Sequence, residues 1–160
     1  MTEGYVRTAR LEDVPSLAAN LREADIAEIR ASSGSKPEDA LRVGVRRGVA
    51  KVACLPDGTP AAIFGVVPMP HQSGAIWMVA TNQFKSVQRQ FLRECQGELE
   101  KIGADYRLLF NFTDARNHVH HRWIKWMGFT IIRRHETFGH EGRSFLEFCK
   151  ITKGPPCVNL

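Results

Sequence analysis

Three histidines fall within four residues, His118, His120 and His121, directly after Asn117. An imidazole titrates near neutral pH and can take up or give a proton during one catalytic cycle. On a helix, the H-x-H-H spacing turns successive rings to different faces, so at most two can share a metal ion. No cysteine or carboxylate stands beside them at ligand spacing, and no metal site is assigned. His120 and His121 remain as candidate general bases, with His120 packed and hydrogen-bonded in the plainer reading. Asn117 is a third candidate for catalysis, although an Asn ahead of a helix first serves as its N-cap. Asp25 and Glu28 lie near the end of the first helical region. Such carboxylates can accept a proton from an amine, or simply belong to a solvated helix face. Lys85, Arg89 and Arg93, four apart, form one basic stripe that suits phosphates, nucleic acid or an acidic protein, or plain solvent.

The elements that position these residues follow from periodicity and turn chemistry. Tyr5 to Ala9 opens the chain as a strand. Val14, Leu17, Ala18 and Leu21 recur at helical spacing, and Ile26 and Ile29 continue that stripe as far as Ser32-Ser33-Gly34-Ser35. Ser35-x-x-Glu38 reads as a capping box that starts a helix from Lys36 to about Arg47. Strands Ala50–Leu55 and Pro60–Val67 flank Pro56-Asp57-Gly58-Thr59, a hairpin turn, and Pro68-Met69-Pro70 is expected to end the second strand. Ala75–Ala80 is nearly all apolar, as at a sheet centre covered on both faces. Val87, Phe91, Cys95, Leu99 and Ile102 then mark a long helix that Gly103 stops. Arg107–Thr113 is a buried strand carrying Asn111, a buried amide that requires a partner. Asn117–Met127 is a helix with Val119, Trp123 and Met127 as its expected apolar stripe. Trp77 and Trp123 read as core and rim aromatics, Trp126 as an exposed contact. Phe129–His135 and Ser144–Ile151 form a closing hairpin.

The 160 residues suit one domain, assigned to 1–153 with an irregular tail at 154–160. Apolar content is 43% and charged content 24%, ordinary for a globular chain, and the net charge of +5 favours an anionic partner without naming it. The longest apolar run, near Ala61 to Val67, is much shorter than the ~20 residues of a membrane span. Cys54, Cys95, Cys149 and Cys157 show no C-x-x-C pair and read as small hydrophobes in a reducing compartment.

The resulting order, βααβββαβαββ, resembles the GNAT (Gcn5-related N-acetyltransferase) fold over nearly the whole chain. It implies an α/β (α+β) three-layer domain with a mixed, mostly antiparallel sheet flanked by helices. In that family a Q/R-x-x-G-x-G/A turn cradles the pyrophosphate of acetyl-CoA, and an N-x-x-A-x-x-x-Y-x-x-x-G-F segment follows, whose tyrosine protonates the leaving thiolate. Asn117 and Gly128-Phe129 match the second segment, but Ile124 stands where the tyrosine would be. The cradle reads Thr81-Asn82-Gln83-Phe84-Lys85-Ser86-Val87, without glycine. Should acetyl-CoA bind, the resemblance places Val79, Thr81, Asn82, Lys85, Ser86, Val87 and Asn117 against it. An active enzyme further requires an open V between Ala75–Ala80 and Arg107–Thr113, the split at which Asn111 would find its partner. Gln83 or Phe84 filling that gap would exclude it.

A narrower resemblance is to the internal virion protein A family of short-tailed bacteriophages. It rests on Leu109-Phe110-Asn111-Phe112, Asn117, His120, Arg122-Trp123-Ile124-Lys125 and Gly128, with Trp77 to Phe84, Arg89-Gln90-Phe91 and Phe145-Leu146-Glu147-Phe148 in support. It implies a protein of the virion or the host cytoplasm that contacts other phage structural or assembly proteins. The expectation from sequence is thus a virion-associated GNAT fold with degenerate acetyl-CoA machinery and no cofactor. An active acetyl-CoA-dependent N-acetyltransferase is the alternative, and a nucleic-acid-binding accessory protein a weaker one.

Overall fold

Alternating residues and tight turns build the first half of the sheet. The computed structural model describes residues 3–152, so the 154–160 tail and Cys157 lie outside the described residues. The strands are β1 (Tyr5–Thr8), β2 (Val49–Cys54), β3 (Pro60–Met69), β4 (Ser73–Ala80), β5 (Leu108–Asp114), β6 (Thr130–Phe138) and β7 (Arg143–Ile151). They form one sheet in the order β1-β2-β3-β4-β5-β7-β6. All pairs are antiparallel except β4 with β5. The helices are α1 (Val14–Asn20), α2 (Glu23–Ser33), α3 (Pro37–Arg47), α4 (Gln88–Gly103) and α5 (His118–Trp126).

Two apolar layers hold the helices to the sheet. Phe64, Val66, Ile76 and Met78 on one face meet Phe91, Cys95 and Leu99 of α4 and Ile124 of α5. On the other face Val52, Cys54 and Ile63 meet Val14 and Leu17 of α1 and Leu41 of α3. Each such fully buried aliphatic or aromatic side chain stabilises the fold by about 1.5–3 kcal/mol relative to exposure. The three-layer α/β expectation holds. Cys54 and Cys95 are buried as free thiols, and Cys149 is partly buried. No helix among the described residues is long and apolar enough to cross a membrane.

Four local expectations need correction. The first helical region is two helices, because Leu21 turns extended and bridges Thr81 while the Arg22 amide donates to the Ala80 carbonyl. Pairing with the end of β4 interrupts an otherwise continuous apolar pattern. The Ser35/Glu38 capping box does not form. Lys36 is the N-cap, Pro37 occupies the first turn, and Glu38 pairs with Arg42 at 2.7 Å instead. Pro68 does not end β3, which runs to Met69 opposite Ser73. β2 stops opposite Val66, so β3 is an edge there and a proline costs no ladder bond on that side. Finally, the buried residues of α5 are His120 and Ile124, and of the expected stripe Met127, just past the helix, is buried whereas Val119 is 46% exposed. A nine-residue helix shows too few turns for periodicity to fix its face within one residue.

Candidate functional site

The site lies where the sheet opens. β4 and β5 pair in parallel only at Ser73↔Leu108, Gly74↔Leu109 and Ala75↔Phe110. One residue further the Asn111 side chain donates to the Ile76 carbonyl at 2.7 Å and accepts from the Phe112 amide at 2.8 Å. Asn111 thus satisfies backbone groups that a continuing ladder would have paired, and beyond it the strands separate. This is the partner its place in an apolar strand demanded.

Cavities occupy both sides of the opening. One, of about 380 Å³, lies between α2, α3, β4 and β5 and includes Glu28, Trp77, Val79, Asn111 and Phe112 in its wall. The other, of about 320 Å³, lies between the start of α4 and α5 and is lined by Phe84, Gln88, Leu92, Arg122, Trp123 and Trp126. Met78 and His120 line both.

Asn117 builds the corner that presents His120. It is the N-cap of α5, its Oδ1 accepting the His120 amide at 3.3 Å, while its Nδ2 donates to Glu28 Oε2 at 2.8 Å. The cap therefore ties α5 to α2. His120 is 9% exposed, with Nδ1 3.2 Å from Thr113 Oγ1 and 3.6 Å from Glu28 Oε1. Its ring stacks on Trp123 at 5.6 Å. Its Nε2 is buried and has no hydrogen-bond partner among the described residues. A buried polar nitrogen without a partner, on a residue that lines two cavities, is a candidate for a ligand proton. Asp25 serves the scaffold: its Oδ2 accepts the Ala80 amide at 2.9 Å and pairs with Arg22 at 2.8 Å.

The remaining sequence candidates separate clearly. His121 lines neither cavity; its Nε2 lies 2.9 Å from the Asp114 carbonyl oxygen, and burial pushes its pKa down. Val79 belongs to the first cavity, on the side away from α4. Thr81 is buried with both amide and hydroxyl bonded to the Ala61 carbonyl. Asn82, Lys85 and Ser86 are exposed in a 3₁₀ turn (Asn82–Ser86), the Ser86 hydroxyl donating to the Gln83 carbonyl at 2.9 Å. Val87 packs by Gly4. Gln83 is exposed and Phe84 turns into the core, edge-on to Phe91 at 5.2 Å, so neither closes the gap. Only Phe84 of that turn reaches the second cavity. Lys85, Arg89 and Arg93 are all exposed near the start of α4, as the basic stripe requires. Trp126 is 57% exposed, its Nε1 donating to the Leu92 carbonyl across to α4.

Ile124, at the position of the family's tyrosine, is completely buried among core side chains. Gly128 follows at φ +83°, a left-handed turn that glycine adopts without strain, and Phe129 packs edge-on to Phe148 at 5.3 Å. The Gly-Phe pair therefore anchors α5. Glu28 is the residue whose role is least visible in the sequence, since its partners Thr113, Asn117 and His120 are far along the chain.

No protein-family model matches the sequence, and no curated protein matches it. Solved structures do. A GNAT-family acetyltransferase from Bacillus anthracis superposes with a TM-score of 0.70 at 9% identity, covering 93% of this chain and 95% of that one. A Gcn5-related N-acetyltransferase from Kribbella flavida gives 0.68 at 18% identity, covering 93% and 98%. The ribosomal-protein-S18-alanine N-acetyltransferase from Escherichia coli gives 0.64 at 13% identity, covering 98% of each chain. With a sheet of this order and a split between its two central strands, the protein has the GNAT fold.

Proposed function

We propose that this protein is an acyl-CoA-dependent N-acyltransferase, in preference to the degenerate virion protein suggested by its sequence. The observation that carries the reading is the junction of two cavities at His120 and Met78, across the split between β4 and β5. Transfer between two substrates requires separate approaches that meet at one reacting centre. The comparison structures, bacterial acetyltransferases, support the same class.

The cavity between α4 and α5 suits the thioester donor. Arg122 is in its wall, and Lys85 and Arg89 stand exposed at the start of α4, where positive charge and helix-terminal amides favour phosphates. The exposed side chains of the 82–86 turn leave the cleft open although the turn has no glycine. The Glu28 cavity suits the amine. Its nitrogen, neutral once an ammonium has given one proton to water, attacks the thioester carbonyl carbon, the new C–N bond forms and the C–S bond breaks. His120 Nε2 takes the proton from the amine and returns it to the departing sulfur. Glu28, through Nδ1, supports the charged ring between the two transfers. One imidazole thereby covers the step for which Ile124 has no proton.

The test is thiol release from acetyl-CoA by the purified protein, in the presence of a panel of primary amines. Acetylated product with stoichiometric free thiol supports the reading; no donor binding and no thiol with any amine overturns it. A role in the virion or host cytoplasm among phage proteins is supported by the Asn111–Gly128 resemblance, and an acyltransferase could act in that setting.

A further inference from the structure

The wall of the Glu28 cavity is sorted by charge in a way that selects among amines. Among the described residues, its lining contains two carboxylates and no lysine or arginine. Asp25 is only 2% exposed, and its carboxylate is engaged by Arg22 and the Ala80 amide. Glu28 differs. Its side chain is 16% exposed, and among the described residues its sole ionisable partner within 4 Å is His120. Asn117 and Thr113 donate to its Oε2, but among the described residues no lysine or arginine stands beside it, so one carboxylate without a permanent cation lines the cavity.

Away from Glu28 the wall is apolar. Ile29 of α2, Val43 of α3, Val67, Trp77, Phe112 and Phe138 enclose the space. Gly44 lets α3 settle on the Trp77 ring, since a Cβ there would come within 2.6 Å of it. Most polar groups of the lining are already bonded: the Ser32 and Ser33 hydroxyls donate to the Ile29 carbonyl, and Asn111 bridges Ile76 and Phe112, while the Trp77 Nε1 is buried without a partner among the described residues.

We propose that this cavity takes a primary amine with a single positive charge and an uncharged apolar body, aryl or branched alkyl. The proposal rests on the acyltransfer reading and names its acceptor class. The ammonium sits by Glu28 and His120, and the body lies between Trp77, Val67 and the Phe112–Phe138 pair, which stack at 4.5 Å. A polyamine would place its second ammonium against hydrocarbon. An amino acid would bury its carboxylate without a cation. Either unpaired charge is strongly disfavoured away from water. A volume of about 380 Å³ accommodates an amine the size of phenethylamine.

Calorimetric titration of the full chain at neutral pH, without donor, tests this directly. Phenethylamine or isoamylamine should bind at least about tenfold more tightly than spermidine or phenylalanine, the penalty expected of an unpaired charge. Glu28→Gln should remove most of that binding. Val43→Glu, at a half-exposed rim position, should instead improve binding of a diamine such as cadaverine. The proposal is overturned if spermidine or phenylalanine binds as well as phenethylamine. It is equally overturned if only a peptide N-terminus binds, or if the monoamines do not bind. Because no thioester is present, a monoamine that binds without later supporting thiol release would sink the acyltransfer reading while leaving the amine site standing.

Discussion

His120 is held at one ring nitrogen and unpartnered at the other. Thr113 and Glu28 define the environment of Nδ1, Trp123 supports the ring face, and Nε2 has no partner among the described residues. His121, one residue on, is tied to the Asp114 carbonyl and points elsewhere. Replacing His120 with Gln should therefore lower kcat for thiol release by about a hundredfold or more, the usual worth of a positioned acid–base group. The matching His121→Gln variant should stay within a few-fold of wild type. Thermal melts of both proteins, run beside the kinetics, separate loss of chemistry from loss of fold. Equal impairment of the two variants would remove the assignment.

Among the secondary elements, β5 and α5 carry the cost of opening the sheet. Asn111 compensates the Ile76 carbonyl at the point where pairing stops. Asn111→Leu should leave that acceptor without a partner and cost about 1–3 kcal/mol, read as a lower urea midpoint. α5 makes the complementary case. Ile124 is fully buried on its inner face, so the position of the family's tyrosine is here a core position. Ile124→Tyr should overpack that core and cost about 1–3 kcal/mol in urea unfolding. It should also fail to raise the rate of thiol release. A faster Ile124→Tyr enzyme of unchanged stability would show that the side chain reaches the cleft.

For the molecule as a whole, two ion pairs near the ends of the sheet couple stability to acid. At Asp13 the Arg7 guanidinium, 2.7 Å away, leads in holding the carboxyl below its usual range against the opposing effect of burial. At Asp114 burial works to raise the pKa, and bonds from Arg116 at 2.6–3.2 Å overcome it, so the net shift is again downward. A carboxyl depressed in the folded state binds its proton less readily there than in the unfolded chain. Its stabilisation is thus complete above the unfolded value of 3.8 and is lost as pH falls through the lower folded value. These two groups should leave the urea midpoint flat between pH 7 and about 5 and lower it at more acidic pH. The Asp13→Asn and Asp114→Asn variants should each show a shallower acid loss. A wild-type midpoint that is insensitive to acid would contradict the assignment.

What a residue does with its near neighbours along the chain is legible in the sequence alone. The Asp57-Gly58 turn, the Asn117 cap, the α4 stripe and the Gly128-Phe129 stop all depend on groups within a few positions, and each lies where its chemistry requires. The site depends on groups that are distant in sequence. Glu28 meets Asn117 across 89 residues and Thr113 across 85, and Asn111 meets Ile76 across 35. No local periodicity records those distances. Whether β4 and β5 stay paired or part, and which imidazole faces the gap, follows from how α2, α4 and α5 pack on the two faces of the sheet. Folding thus turned Ile124 into core and left His120, which lines two cavities, with an unpartnered nitrogen.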